Sequence, residues 1–398
     1  MEELILRPVY LWAFQTNREQ LTLLHTSRYE KSHIIPQPIY DIIPNKKQRN
    51  DLLMKSHLSV ILAKKLVGNI RYRTRHAQRI LTQQHYFQDM KRVASLKRNG
   101  NSFLSFAFHP TEPILAISSD DWDVKLWRLS DDSSTMTRLK KLDAGFCAVW
   151  SNIFHPTLPI LVTGCNDRST YLWRLSPDCS KVKYSETLLQ HTAGIWSIAF
   201  HPTALIMATG SGDDTAKLWE LSPNGSAATC VQTIKHTGIV FSVEFHSTAP
   251  ILATRSAVQT VKLWKLSSDF SAATCVATLE EYDSFAFHPK NLIFATGSSD
   301  NTVKLWRMSP DDWSPICVAS LAGHSGSILS VVFHPTLPIF LTSSSDKTVK
   351  FWLHYRECSS ATCVSTLGGY SNYVESVIIH PTRPFLATLT KNEINLLK

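Results

Sequence analysis

Hydrophobic and polar residues alternate in short runs along the C-terminal three quarters of the chain. The stretches ILSVVFH (328–334), IFLTSSS (339–345) and TVKFWL (348–353) each carry the period-two, β-branched and aromatic pattern of a strand, with His-Pro-Thr and Ser-Asp-Lys between them as turns. A further short run, TCVSTL (362–367), makes a fourth strand. The whole set recurs. The His of its first turn returns at His109, His155, His201, His246, His288, His334 and His380, in steps of 46, 46, 45, 42, 46 and 46 residues. Eighteen residues after each of the first six stands a Trp: Trp127, Trp173, Trp219, Trp264, Trp306 and Trp352. Such self-similarity marks stacked supersecondary units, and four short strands per unit describe a propeller blade. One blade cannot bury its own faces, whereas seven around a ring can. The pattern predicts an all-β seven-bladed β-propeller over residues 90–398, behind a mainly α-helical region at 1–89.

These units resemble the WD-repeat (WD40) family over residues 90 to 398, on the strength of the repeated Trp and His positions. In that family each blade holds a hydrogen-bonded set made of a His before strand a, a Ser or Thr on strand b, an Asp in the b–c turn and a Trp on strand c. The resemblance implies one complete set at His191, Thr209, Asp213 and Trp219 and another at His324, Thr342, Asp346 and Trp352, with a structural role. Other units depart from it: Val258 stands where the fourth needs Asp, and Gly145 replaces the His of the second. The fifth unit lacks four residues before strand a, and none of the six repeated Trp is followed by Asp.

Strand order in such propellers runs d of one blade, then a, b and c of the next. RVASL (92–96) echoes CVASL (317–321), a d strand, while the seventh unit supplies no d strand of its own. Val93, Ala94, Ser95 and Leu96 are therefore expected to pair with residues 393–397 and close the ring, which removes two exposed sheet edges.

Charge separates the chain into two parts. Residues 1–92 hold 16 Lys and Arg against 7 Asp and Glu, whereas the rest carries 25 of each. A helix is expected over DLLMKSHLSVILAKKL (51–66), with Asn50 or Asp51 as its cap. Six basic residues without an acid lie between Lys64 and Arg79, a solvated helix face or a nuclear-import or nucleic-acid contact. Residues 6–34 resemble an F-box through Pro8, Val9, Leu11, Phe14, Leu21, Leu24 and TSRYEKS, spaced about one residue off that motif. This second resemblance implies a Skp-type adaptor as partner and a propeller that presents substrates to a ubiquitin ligase. No apolar run approaches the roughly 20 residues of a membrane span, and the N-terminus has acids where a secretory signal needs bases. An intracellular protein, cytoplasmic or nuclear, is expected. Cys230, Cys275, Cys317 and Cys363 share one repeat position, as a packing site would rather than a disulfide framework.

Candidate chemistry is sparse. Equivalent His residues on adjacent packed sheets lie about 10 Å apart, too far for one metal ion bound at about 2 Å. No P-loop, dinucleotide glycine fingerprint, H-E-x-x-H or zinc-type C-x-x-C occurs. No cofactor and no metal are expected, and a non-enzymatic interaction scaffold fits best, with the ligase receptor and a nucleic-acid or chromatin module as alternatives. In WD-repeat proteins partners dock on the face carrying the d–a and b–c loops. Five residues before each repeat His stand Leu104, Trp150, Trp196, Phe241, Asp283, Leu329 and Glu375, whereas the next residue is always Ser. Repeated positions serve structure and divergent ones serve binding, and clustered aromatics make hot spots. Leu104, Trp150, Trp196, Phe241 and Leu329, with Trp122 and Arg168 beside the turn Asp of blades one and two, form the candidate partner face.

Overall fold

The computed structural model describes residues 90–97, 102–130, 135–143, 147–355 and 358–398. The helix expected at 51–66, the basic run at 64–79 and the F-box-like stretch at 6–34 lie outside the described residues. Among the described residues no helix is long and apolar enough to cross a membrane.

Among the described residues, twenty-eight strands form seven four-stranded antiparallel sheets, each ordered a-b-c-d. In blade three these are Ile195–Phe200, Ile206–Ser211, Thr215–Leu221 and Ala228–Lys235. Seven apolar clusters fill the ring, and each joins two successive blades; Ile160, Leu172, Ile195 and Trp219, for example, weld blade two to blade three. Burial therefore departs from simple alternation. Strand b of blades one, two, three and six is buried at all six positions, because a blade packs against a neighbour on each face. Only the outer d strands expose alternate residues widely.

The ring closes through its first described strand. Arg92–Lys97 pairs antiparallel with Glu393–Leu397, with Leu96 opposite Ile394 and Ser95 opposite Asn395. Main-chain bonds between Lys91 and Lys398 extend the ladder at 3.0 and 3.1 Å. Arg92 and Lys97 reach the buried Glu393 carboxylate at 3.4 and 3.7 Å. Val93, Ala94 and Leu96 pack into the cluster shared by blades seven and one. Counting eighteen residues from His380 leads to Lys398, but the b–c turn of blade seven is one residue shorter. Leu386 pairs with Leu397 where blade six pairs Phe340 with Trp352, so Leu397 takes the Trp register.

Blade contact sets one further constraint. A Cβ on Gly210 or Gly297 would stand 2.8 Å from Val240 O or 2.4 Å from Ile328 Cγ2 of the next blade, so strand b needs glycine there. Blade four carries Arg255 in that register, opposite Ser242 as Gly210 is opposite Ser197. It faces blade five, whose approach is four residues shorter.

Candidate docking face

The repeat histidines are turn locks. Nδ1 of each of the seven accepts the amides two and three residues later, at 2.9–3.3 Å. Six of the rings also meet a Phe on strand a of the next blade, from His109 on Phe154 to His380 on Phe108, with centroids 4.6–5.2 Å apart. The exception is His334, because Ile379 replaces that Phe. Burial lowers the pKa of all seven, to about 4 for His155 and His288. His288, His354 and Cys358 bring ligand-type atoms within 4.8 Å of one another. They do not fit a metal: Nδ1 of His288 accepts two amides, so its proton sits on Nε2, whereas a metal-bound imidazole donates from its other nitrogen.

The two four-residue sets are brought together. Trp219 Nε1 donates to Thr209 Oγ1 at 2.8 Å, His191 Nε2 lies 2.7 Å from the same hydroxyl, and His191 Nδ1 lies 2.8 Å from Asp213 Oδ2. Asp213 also accepts from the Thr192 amide and from the Thr215 amide and hydroxyl. His324, Thr342, Asp346 and Trp352 repeat this at 2.7–2.8 Å. Departures leave vacancies. With Ile117 at the Thr position, the buried Trp127 Nε1 has no acceptor. With Val258 at the Asp position, His236 keeps its 3.1 Å contact to Thr254, but His236 Nδ1 and Thr260 Oγ1 are buried without partners. Blade five substitutes Tyr282, whose hydroxyl accepts from Lys304 at 3.0 Å and whose ring meets Trp306 edge-on.

The divergent position before the repeated Ser is a bulge. Ladder register shifts at Leu104, Trp150, Trp196, Phe241 and Leu329, so two residues of strand a face one of strand b. A bulge re-aims its side chain, and these five are partly exposed. The repeated Ser then bridges blades: the Asn152 amide donates to Ser105 Oγ at 3.2 Å and the Val243 amide to Ser197 Oγ at 3.1 Å. Along blades two to four the bulge side chains form a continuous rung. Trp150 stacks on Trp196 with centroids 4.0 Å apart, Trp196 meets Phe241 edge-on at 4.9 Å, and the Arg255 guanidinium lies 5.0 Å over Phe241. Burial lowers the Arg255 pKa and Asp283 opposes that shift. The rung borders the d–a and b–c loops, since a Cβ on Gly194 would touch both Trp150 and the Asn166 backbone. Trp122 and Arg168 sit on those b–c turns with φ of 67° and 80°, and Asp214, Gln259, Asn301 and Lys347 do the same in blades three to six. Leu104 and Leu329 occupy the same register in blades one and six.

Residues 90–128, 136–174, 182–220, 273–307 and 315–352 match the WD domain, G-beta repeat family. The chain is a WD-repeat protein. Each matched WD-repeat segment begins on a d strand and ends on strand c of the next blade, the same permutation that lets residues 92–97 close the ring. The two units outside the match are the fourth, with Val258 for Asp, and the seventh, with Leu397 for Trp. No curated protein matches the chain. Position-by-position reading of the WD repeats did not find the lodging of Arg255 against Phe241 or the entry of Tyr282 into a His place. The four-residue gap before blade five was the signal for both.

Proposed function

We propose that this protein is a non-enzymatic interaction scaffold whose partner docks on the rung of Trp150, Trp196 and Phe241. The observation that carries it is a run of aromatic bulge residues, partly exposed and continuous across three blades, at the one position beside the repeated Ser that diverges. Aromatic rings held rigid by their neighbours present apolar area at low entropic cost. Arg255 is packed on Phe241 rather than offered to solvent, which argues against a phosphate-reading face of several free arginines. A photo-crosslinking residue at Trp122, on the rim of this face, should capture a partner that the same residue at Ile316, on the outer edge of blade five, does not. Equal capture at both would overturn the assignment.

The finer reading as a ubiquitin-ligase substrate receptor rests on the sequence at 6–34. It requires a Skp-type adaptor to co-purify with the full chain and not with residues 86–398. The nucleic-acid reading rests on residues 64–79 and requires salt-dependent binding that disappears with that segment.

A further inference from the structure

We propose a second binding site, on the outer edge of blade two: a basic groove that takes an extended acidic polypeptide segment. The groove measures about 500 Å³ and is lined by Arg174, Lys181, Lys183, Tyr184 and Ser185, with Ser226 of blade three on its rim. Arg174 and Lys183 stand directly opposite each other in the c–d ladder, and Lys181 lies two residues before Lys183. Like charges in register oppose sheet pairing. The acids nearby do not relieve them. Glu186 accepts the Ala228 amide at 2.9 Å, and Asp178 accepts from the Ser176 hydroxyl and the Ser180 amide. Among the described residues no ion pair reaches Arg174, Lys181 or Lys183.

The repeat supplies the comparison that separates a built feature from scattered surface charge. Where blade two has Lys181, Lys183 and Tyr184, blade three has Ala227, Thr229 and Cys230, and blade four has Ala272, Thr274 and Cys275. Three of the four consecutive positions 181–184 have thus left the pattern that blades three and four keep, at a cost in like-charge repulsion. Strand d is also an edge, whose outward main-chain groups can pair with an added strand. Cations two residues apart on a strand recur every ~6.6 Å, the interval of alternate acidic side chains on an extended chain. The N-terminal quarter of this chain has the wrong sign for the groove, and so does a second copy with its net charge of +9. A groove one strand long, closed by Tyr184 and two serine hydroxyls, suits a single extended chain better than a nucleic-acid duplex.

The test uses the full chain, a fluorescent peptide alternating Glu with Val, and a Lys-for-Glu control peptide. Lys181→Ala together with Lys183→Thr restores the residues of blades three and four, so the fold has a precedent for both. Anisotropy should show the acidic peptide binding, roughly tenfold weaker binding to the double variant, and weakening between about 50 and 300 mM salt. Lys265→Ala, at the Arg174 register of blade four, should bind as the unaltered protein does. The double variant should melt no lower than the parent, since the repulsion on Arg174 is relieved. Equal binding by parent and double variant, no binding of the acidic peptide, or its displacement by a duplex that is itself sensitive to the two lysines would overturn the proposal. The surface is separate from the aromatic rung, so failure here leaves that reading untouched.

Discussion

Val258→Asp should stabilise the propeller. In blades three and six the turn Asp accepts from a His ring, from a backbone amide after that His, and from a Thr hydroxyl and amide. In blade four the same turn persists, with Gln259 at φ 56° where Asp214 has 63° and Lys347 has 64°. His236 Nδ1 and Thr260 Oγ1 are already buried without partners, so their desolvation has been incurred with no compensating bond. A hydrogen bond to a charged group contributes ~1.5–3 kcal/mol, and an orphaned buried polar group costs ~1–3 kcal/mol. Against this stand the partial burial of a carboxylate and the loss of Val258, which is 49% exposed and contributes less than ~1 kcal/mol. The net gain should be about 1–2 kcal/mol, or ~2–3 °C in Tm for a cooperative unit of about 300 residues.

The assay is urea unfolding of Val258→Asp, His236→Ala and the double variant, read as a thermodynamic cycle, with His236 followed by NMR. The ring now titrates at about 4 because burial disfavours its charged form and Lys262 adds repulsion. A facing carboxylate must raise it. No gain in stability, or a gain that persists in full when His236 is absent, would show that the vacancy is not what limits blade four.

Thr209→Val should cost ~2–4 kcal/mol by leaving Trp219 Nε1 and His191 Nε2 unpaired, while Thr209→Ser should recover most of it in the same denaturation assay. Acid should destabilise the fold through its histidines: His155, His236, His288 and His354 titrate at about 4 when folded and near 6.5 when unfolded. As pH falls below 6.5 the unfolded chain takes up protons that the fold refuses, at up to ~1.4 kcal/mol per ring per pH unit. Glu244, held at about 8 by burial, works in the opposite sense, so the test is Glu244→Gln, whose urea midpoint should fall between pH 7.5 and 5.5; a flat midpoint would contradict it. Deleting residues 90–97 should uncover the Glu393–Leu397 edge and produce lower melting or self-association by light scattering, whereas deleting 1–85 should produce neither.

The sequence by itself determined the number of blades and marked residues 92–96 as a d strand out of place, and its resemblance to WD repeats supplied the two complete polar sets. It could do so because a repeat places the same residue at the same point of the fold each time, so local pattern and copy number together specify the architecture. Departures such as Val258 and the four-residue gap before blade five were equally visible as breaks in that pattern. What they do was decided by packing: Val258 and Arg255 act inside blade four on residues 2 to 22 positions away, whereas Trp150 and Trp196 meet across a blade boundary, 46 positions apart. Only packing shows that Val258 leaves two buried groups unpaired, that Arg255 lies on Phe241, or that Trp150 and Trp196 stack. The full burial of strand b has the same origin, since each blade is completed by the neighbours packed on its two faces.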